Sequence, residues 1–337
     1  MISKLKPYLR KRVLKSYVLS IIAYIVVDIL TGFRYRQGNY LTKSGAAHAD
    51  RDLEESLSYI REVIGDYKKY SGLDSFYGSV AEVGPGDNAG VGLMFLADGC
   101  TKVDLVDRFY SKRDPAIHAS IYQALFDQYD ARKEVGAYYY GEDLNIDSLN
   151  IRHGPAASAE EYFDTQESYD FIVSRAVMEH VYDPVLALNR MAGALKRGGY
   201  MLHIVDLRDH GMFSENFHEL KFLEVPDRLY SRMTSWSGLP NRVLITEYRS
   251  ALEKLPLTYK LLVTCLAGVG MLSPYLEYKD IPADLKKQSL DYVRSVKGKF
   301  TKSIKQLPEE DLCVAGIYIV AQKIANNEAG TRESSLD

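Results

Sequence analysis

Cysteine is scarce in this chain, and its three examples, Cys100, Cys265 and Cys313, are odd in number, far apart and free of any CxxC spacing. That disfavours a disulfide framework and a structural zinc site, and a reducing cytosol fits best. An excess of one charge is lacking too. With 42 Lys and Arg against 45 Asp and Glu, the formal net charge is -3, so no overall basic field argues for a nucleic-acid partner. No internal repeat is apparent, and the stretch after Asp206 holds no metal-ligand spacing. No metal is expected, and no Ser-His-Asp or Cys-His arrangement can be justified from residue order. What the chain does have is 46% hydrophobic and 26% charged residues over 337 positions, enough for a full globular core in one large domain with insertions.

The main shift in composition is at the start. Lys4, Lys6, Arg10, Lys11, Arg12 and Lys15 precede an apolar stretch from Tyr17 to Leu30. As a helix, it puts Val13, Leu14, Tyr17, Val18, Ile21, Ile22, Ile25, Val26 and Ile29 on a broad face and Ser16, Ser20, Tyr24, Asp28 and Thr31 on a narrower polar stripe. A signal peptide is weakened because no small-residue cleavage site precedes Gly32. A membrane span wants about 20 apolar residues and would enclose Asp28. The expectation is an interfacial helix, with residues 1–33 in peripheral contact with the inner membrane face of a cytoplasmic protein, set against a helix simply packed on the domain.

Downstream the pattern alternates. A helix spans His48 to Tyr70 and is stopped by Gly72; then come strand 79–83, helix 88–97, strand 102–107, helix 116–129, an irregular stretch, strand 170–174, helix 184–196 and strand 200–206. Asp183 and Pro184 start the helix at 184, and Gly198-Gly199 are expected to end it. Alternation of this kind means a parallel sheet covered by helices. The expected division is an N-terminal segment 1–45, a core 46–206, a substrate-side insertion or lid 207–311, a closing strand 312–325 and a disordered tail 326–337.

Glu82-Val-Gly84-Pro85-Gly86-Asp87 follows an apolar strand and precedes a helix, so the backbone can turn sharply and admit a ligand at the helix N-terminus. The spacing differs from the GxGxxG of dinucleotide enzymes, and Glu82 would repel a pyrophosphate while suiting a ligand that carries an ammonium and a sulfonium. Asp107 closes the next strand about 20 residues on, where an acid can accept both ribose hydroxyls. S-adenosylmethionine fits this pair better than NAD.

The segment Ser168-Tyr-Asp-Phe-Ile-Val-Ser-Arg-Ala-Val-Met-Glu-His-Val-Tyr-Asp-Pro184, followed by Leu195-Lys-Arg-Gly-Gly199, resembles the class I S-adenosylmethionine-dependent methyltransferase superfamily. The resemblance covers about Ser79 to Asp206 and the closing strand near Leu312. It implies an α/β fold: a Rossmann-like, seven-stranded, mostly parallel sheet with helices on both faces. By matching position, Glu82, Gly84, Pro85, Gly86 and Asp87 would surround the methionine moiety, Asp107 and Arg108 the ribose, and Ser174 would offer backbone to the methionine end. Glu160 is the adenine candidate, although Ser158 replaces the usual acid, and Glu142 or Asp143 is an alternative.

His203-Ile-Val-Asp-Leu-Arg-Asp-His210 resembles a subset associated with bacterial surface-polysaccharide synthesis. Asp206, Asp209, His210 and His180 are placed to meet an acceptor, with His210 the first choice of base and His203 read as a core residue. The expected reaction is O-methylation of a small-molecule or glycan acceptor, in particular a lipid-linked glycan precursor. The rivals are a lipid or quinone methyltransferase, a nicotinamide oxidoreductase and a non-catalytic membrane scaffold. Trp236, Asn241, Arg242 and Tyr248 suit either a lid or a core.

Overall fold

The computed structural model describes residues 14–42, 45, 48, 51–112, 114–128, 138–140, 143–164 and 166–325. The basic residues Lys4, Lys6, Arg10, Lys11 and Arg12, Glu142, the side chain of Asp143 and the tail 326–337 lie outside them.

Eight strands form one sheet in the order β7-β6-β8-β5-β4-β1-β2-β3. They are β1 (Gly78–Val83), β2 (Cys100–Asp107), β3 (Leu149–His153), β4 (Tyr169–Arg175), β5 (Leu195–Asp206), β6 (Leu257–Leu266), β7 (Gly270–Glu277) and β8 (Val314–Lys323). β1 to β5 run parallel, β8 is antiparallel to β5, and β6 and β7 continue antiparallel. Side chains alternate between two cores, as a sheet covered on both faces requires. Ala81, Ile172, Met201 and Ile317 pack with Leu188 and Met191 of α5 (Pro184–Ala194) on one face. Val80, Phe171, Leu202 and Tyr318 pack on the other with Ile60 of α2 (Leu53–Ser71) and Phe95 of α3 (Gly90–Asp98). α4 (Pro115–Gln128) completes that layer through Ile121 and Leu125.

The sheet has eight strands where seven are expected, and two of them, β6 and β7, come from within residues 207–311. β6 is rich in Leu, Val and Thr and pairs with β8 from Leu257↔Lys323 to Leu266↔Val314, so this part of the supposed insertion belongs to the sheet. β3 arises from the stretch read as irregular; its Leu-Asn-Ile-Arg-His sequence is short and polar because it lies at the sheet edge. Gly198 and Gly199 do not end α5. The helix stops at Ala194, and the glycines lie inside β5, where a Cβ on Gly199 would come 2.8 Å from the Asp170 carbonyl oxygen.

Local signals elsewhere match the structure. Asp52 and Glu55 form a capping box at the start of α2, and Gly72 ends it in the left-handed conformation. Asp183 caps α5 by accepting from the Leu186 N–H.

The N-terminal helix α1 (Tyr17–Arg36) turns its polar stripe inward. Asp28 is buried and accepts from the Trp236 and Ser237 amides at 2.7 and 2.8 Å. Tyr24 donates to the Met212 carbonyl at 3.1 Å, and Gly32 lies so close to Trp236 that a Cβ would meet the indole at 2.8 Å. Val18, Leu19, Ile22, Val26, Ile29, Leu30 and Phe33 face outward, with Val18, Ile29 and Phe33 each at least 60% exposed. By length and composition alone α1 could cross a membrane; here it lies along residues 207–252, chiefly on α6 (Asp227–Thr234).

Candidate functional site

The strand order reverses between β1 and β4, so the loops leaving the carboxyl ends of β1, β2, β4 and β5 diverge around a crevice. A cavity of about 270 Å³ opens there, lined by Gly84, Gly86, Asp107, Glu160, His180 and His210 among others.

The glycine turn after β1 is shaped by close approach. Gly84 and Gly86 both have φ +69°. A Cβ on Gly84 would come 2.4 Å from Val177 Cγ2, and one on Gly86 would come 2.5 Å from the Gly45 carbonyl oxygen. Only glycine satisfies both the dihedral and the space. Gly45 also accepts from the Asp87 N–H at 3.1 Å, and Leu41–Thr42 pairs in parallel with Tyr110–Ser111. The end of segment 1–45 is therefore folded onto the core, and Thr42 and Gly45 line the cavity; no sequence motif marks them.

Glu82 sits behind the turn. It borders a cavity of about 40 Å³ with His48, Tyr59 and Arg175, and Gly84 is common to both spaces. Its Oε2 is buried without a hydrogen-bond partner, and burial pushes its carboxyl up to about 8. A buried acid that lacks a donor is a natural complement to a cationic group. Pro85 lies on the same side, and the Asp87 carboxylate accepts from the His48 N–H and lies 3.7 Å from His118 Nε2. Ser174, at the end of β4, is fully buried with its hydroxyl 2.8 Å from His203 Nδ1, and burial holds His203 down at about 3.

Asp107 faces the main cavity at the end of β2. Burial raises its carboxyl to about 6, offset in part by the Phe109 N–H, which donates at 2.8 Å. Arg108 and Glu160 line the same wall and pair at 2.6 Å, with the guanidinium 3.7 Å above the Tyr182 ring. Glu160 also accepts from the Tyr182 and Asp183 amides, which fixes the loop before α5. These residues fit an adenosine and methionine ligand: a glycine cradle, an acid at the strand end where ribose hydroxyls would lie, and an orphaned carboxylate behind the turn.

On the opposite wall are His180 and His210, whose rings meet edge to face at 4.8 Å. His180 Nδ1 donates to the Gly238 carbonyl at 2.7 Å; burial and the neighbouring His210 lower this imidazole to about 4. Asp206 Oδ2 lies 3.4 Å from His210 Nε2, and Asp206 also makes a two-pronged pair with Arg208. Burial opposes ionisation of Asp206, but the bonds from His210 and Arg208 outweigh it and lower its pKa. Ala176 and His210 both have positive φ, 54° and 49°, and both line the cavity. Backbone strain of this kind is concentrated at working sites.

Asp209 does not meet the crevice. It is fully buried and accepts from the amides of Gly211, Phe213 and Ser214, a turn-capping role that its short acidic side chain suits. Asn241, Arg242 and Tyr248 are braces. Asn241 donates to the Met178 and Val181 carbonyls, its amide to the Glu179 carbonyl, and Tyr248 to the Met178 carbonyl. Together they clasp the turn that carries Glu179 and His180. Arg242 is occupied by Asp227 and two backbone carbonyls. Residues missing from the sequence reading are Glu179, Ser237 and Gly238: the last two line the cavity, and Glu179 lies against its histidines.

Residues 49–250 match a family model described as a methyltransferase domain. No curated protein matches the chain. Among solved structures, a chain of the complex between the Haloferax volcanii Trm112 methyltransferase activator and a methyltransferase is 15% identical, with 83% of this chain and 97% of that one covered and a TM-score of 0.40. YcgJ from Bacillus subtilis is 14% identical over 79% of this chain and 100% of its own, also at 0.40. Haemonchus contortus phosphoethanolamine N-methyltransferase 2 in complex with S-adenosyl-L-methionine is 12% identical over 79% of this chain and 53% of its own, again at 0.40.

Proposed function

The chain belongs to the methyltransferase-domain family and uses S-adenosylmethionine as its methyl donor; from that premise we propose that it O-methylates a glycan or lipid-linked glycan precursor at the inner face of a membrane. The observation that carries this reading is the orientation of α1. A helix whose buried side is Ser20, Ile21, Asp28 and Gly32 and whose open side is Val18, Ile22, Ile29 and Phe33 offers an unpartnered apolar face. Lys15, Arg34 and Arg36 at its ends are exposed and suit anionic headgroups. Asp28 on the same helix holds the Trp236-Ser237 amides, and Ser237 and Gly238 border the cavity. Membrane contact and acceptor entry are thus one hydrogen bond apart.

Within this reading Glu82, Gly84 and Gly86 hold the methionine end, with Pro85 and Asp87 shaping the turn and Ser174 offering backbone. Asp107 takes the ribose, and Arg108 and Glu160 border the adenine side. When bound, the donor supplies a methyl carbon already activated by its sulfonium. The chain's own task is to align the acceptor with it and to manage the proton of the acceptor hydroxyl. His180, His210 and Asp206 form the wall where that hydroxyl would sit.

The test has two arms. Sedimentation with vesicles rich in anionic phospholipid is expected to carry the protein into the pellet, while a Val18→Lys, Ile22→Lys, Ile29→Lys variant stays in the supernatant. Label from methyl-labelled donor is expected in the glycan or glycolipid fraction of cell membranes. Label confined to free lipid points instead to a lipid or quinone acceptor, and equal sedimentation of both proteins removes the membrane from the reading.

A further inference from the structure

Glu179, buried beside the cavity-lining His180 and His210, has no part in the reading proposed for the site. It is 2% exposed, neither carboxyl oxygen makes a hydrogen bond of full geometry, and burial pushes the acid well above its ordinary range, against the pull of its own and the Asp206 backbone N–H. An acid so enclosed needs a compensating partner. What it faces is two imidazoles: one donor atom from each of Glu179, His180 and His210 lies within 4.8 Å of the other two. The Glu179 Oε1 to His210 Nε2 separation is 3.6 Å, close to the roughly 3.4 Å between ligands around a tetrahedral ion with bonds of about 2.1 Å.

We propose that Glu179, His180 and His210 bind a divalent cation of the zinc class, which holds the acceptor hydroxyl on the acceptor wall of the cavity. The inference rests on the reading of that wall given above and deepens it. Two neutral imidazoles and one carboxylate are a borderline donor set that suits zinc, iron(II) or cobalt(II) better than magnesium or calcium. The surroundings have the features such a site needs. His180 gives its Nδ1 proton to the Gly238 carbonyl, which fixes the tautomer and leaves Nε2 for the ion. Asp206, tied to Arg208, lies 3.4 Å from the same His210 Nε2, on the side of the ring that faces Glu179. His210 is held in a left-handed backbone conformation that aims its ring across the cavity. His180 and His210 both border the cavity, so three protein ligands would leave a coordination position open to an incoming oxygen. A hydroxyl bound there becomes more acidic, which is what an O-methyl acceptor requires. In this arrangement His210 would serve as ligand, the hydroxyl proton would pass to solvent water, and the oxygen would take the methyl group as the sulfonium becomes a neutral thioether.

Sequence spacing hides the set, because His210 follows the Glu179-His180 pair by 30 residues and comes from another strand end.

The experiment titrates cobalt(II) into the full-length protein after chelator treatment and dialysis, reading visible d–d absorption and bound metal by mass spectrometry. Binding of S-adenosylhomocysteine is measured on the same samples. The expected result is one cobalt per chain with a low-symmetry absorption band, weakened about 100-fold in Glu179→Gln and in His210→Asn, with S-adenosylhomocysteine affinity changed by less than about twofold. His210→Asn keeps the test sound if Glu179→Gln fails to fold, since position 210 is exposed and Asn tolerates left-handed backbone. Cobalt bound well below one per chain, or a band unchanged in His210→Asn, overturns the proposal; the histidine would then serve only as a partner of Asp206. The cobalt readout needs no acceptor, so a failure of the glycan assignment is seen separately in the labelling assay.

Discussion

The two walls of the cavity are built in different ways. The wall proposed for the donor is compact: Glu82, Gly84, Gly86 and Asp107 are set at the ends of two adjacent strands, although Gly84 and Gly86 also meet Val177 and Gly45 from elsewhere in the chain. The acceptor wall is assembled: Glu179 and His180 come from the β4 side, Asp206 and His210 from the end of β5, and Gly238 from the 207–252 region that α1 braces through Asp28. The difference teaches that methyl-donor binding should survive damage to the acceptor wall, whereas acceptor handling should respond to changes as far away as α1.

The largest expected effect sharpens the donor side. Glu82 is raised to about 8 in the folded protein from an ordinary 4.5, so the folded state keeps a proton that the unfolded chain has lost. Stability is then fully present below about pH 4.5 and falls as pH rises, by up to about 1.4 kcal/mol per unit, until about pH 8, above which this contribution is gone. Chemical denaturation of the ligand-free protein across pH 5–9 checks it. Glu82→Gln, which has no proton to lose, should make that limb shallower by one proton's share, leaving the part due to Asp107 and Glu179, and an unaltered slope would show that Glu82 does not contribute.

Asp107→Ala comes next. Loss of two charge-assisted hydrogen bonds to a ribose corresponds to about 3 kcal/mol, or about 100-fold in S-adenosylhomocysteine affinity by calorimetry. In the unaltered protein, affinity should decline as pH falls through about 6, where the raised Asp107 carboxyl takes up its proton. A variant within threefold of the parent would break the assignment of the donor wall.

The smallest effect tests whether the walls are separable. Asp28→Ala removes a carboxylate that holds two amides beside the cavity and should lower stability by about 2 kcal/mol. We expect the KM for a membrane acceptor to rise several-fold while S-adenosylhomocysteine affinity stays unchanged. Equal losses in both would mean that α1 supports the whole crevice and not one side of it.

Much of the fold was legible because its signals are short-range. Asp52, Gly72 and Asp183 act within a few residues of themselves, and the apolar runs of β1, β2, β4 and β5 need only helices on both sides. β6 was not legible as core, since its mixed Leu, Thr and Tyr sequence becomes a sheet strand only through pairing with β8, about 50 to 65 residues later. The glycines at 198 and 199 misled for a related reason. They look like a helix stop, but the Asp170 carbonyl across the sheet is what requires glycine at 199.

By itself the sequence determined the parallel core, the glycine turn and the acid at Asp107, because strand–turn–helix geometry is specified within a few residues. Only the tertiary structure decided that Glu82 lies behind the turn, that Asp209 caps a loop, that α1 buries its polar stripe, and that Glu179 meets His210. Those outcomes depend on which distant surfaces exclude water from a side chain, and hydrogen-bond partners for buried polar groups are supplied by the whole fold.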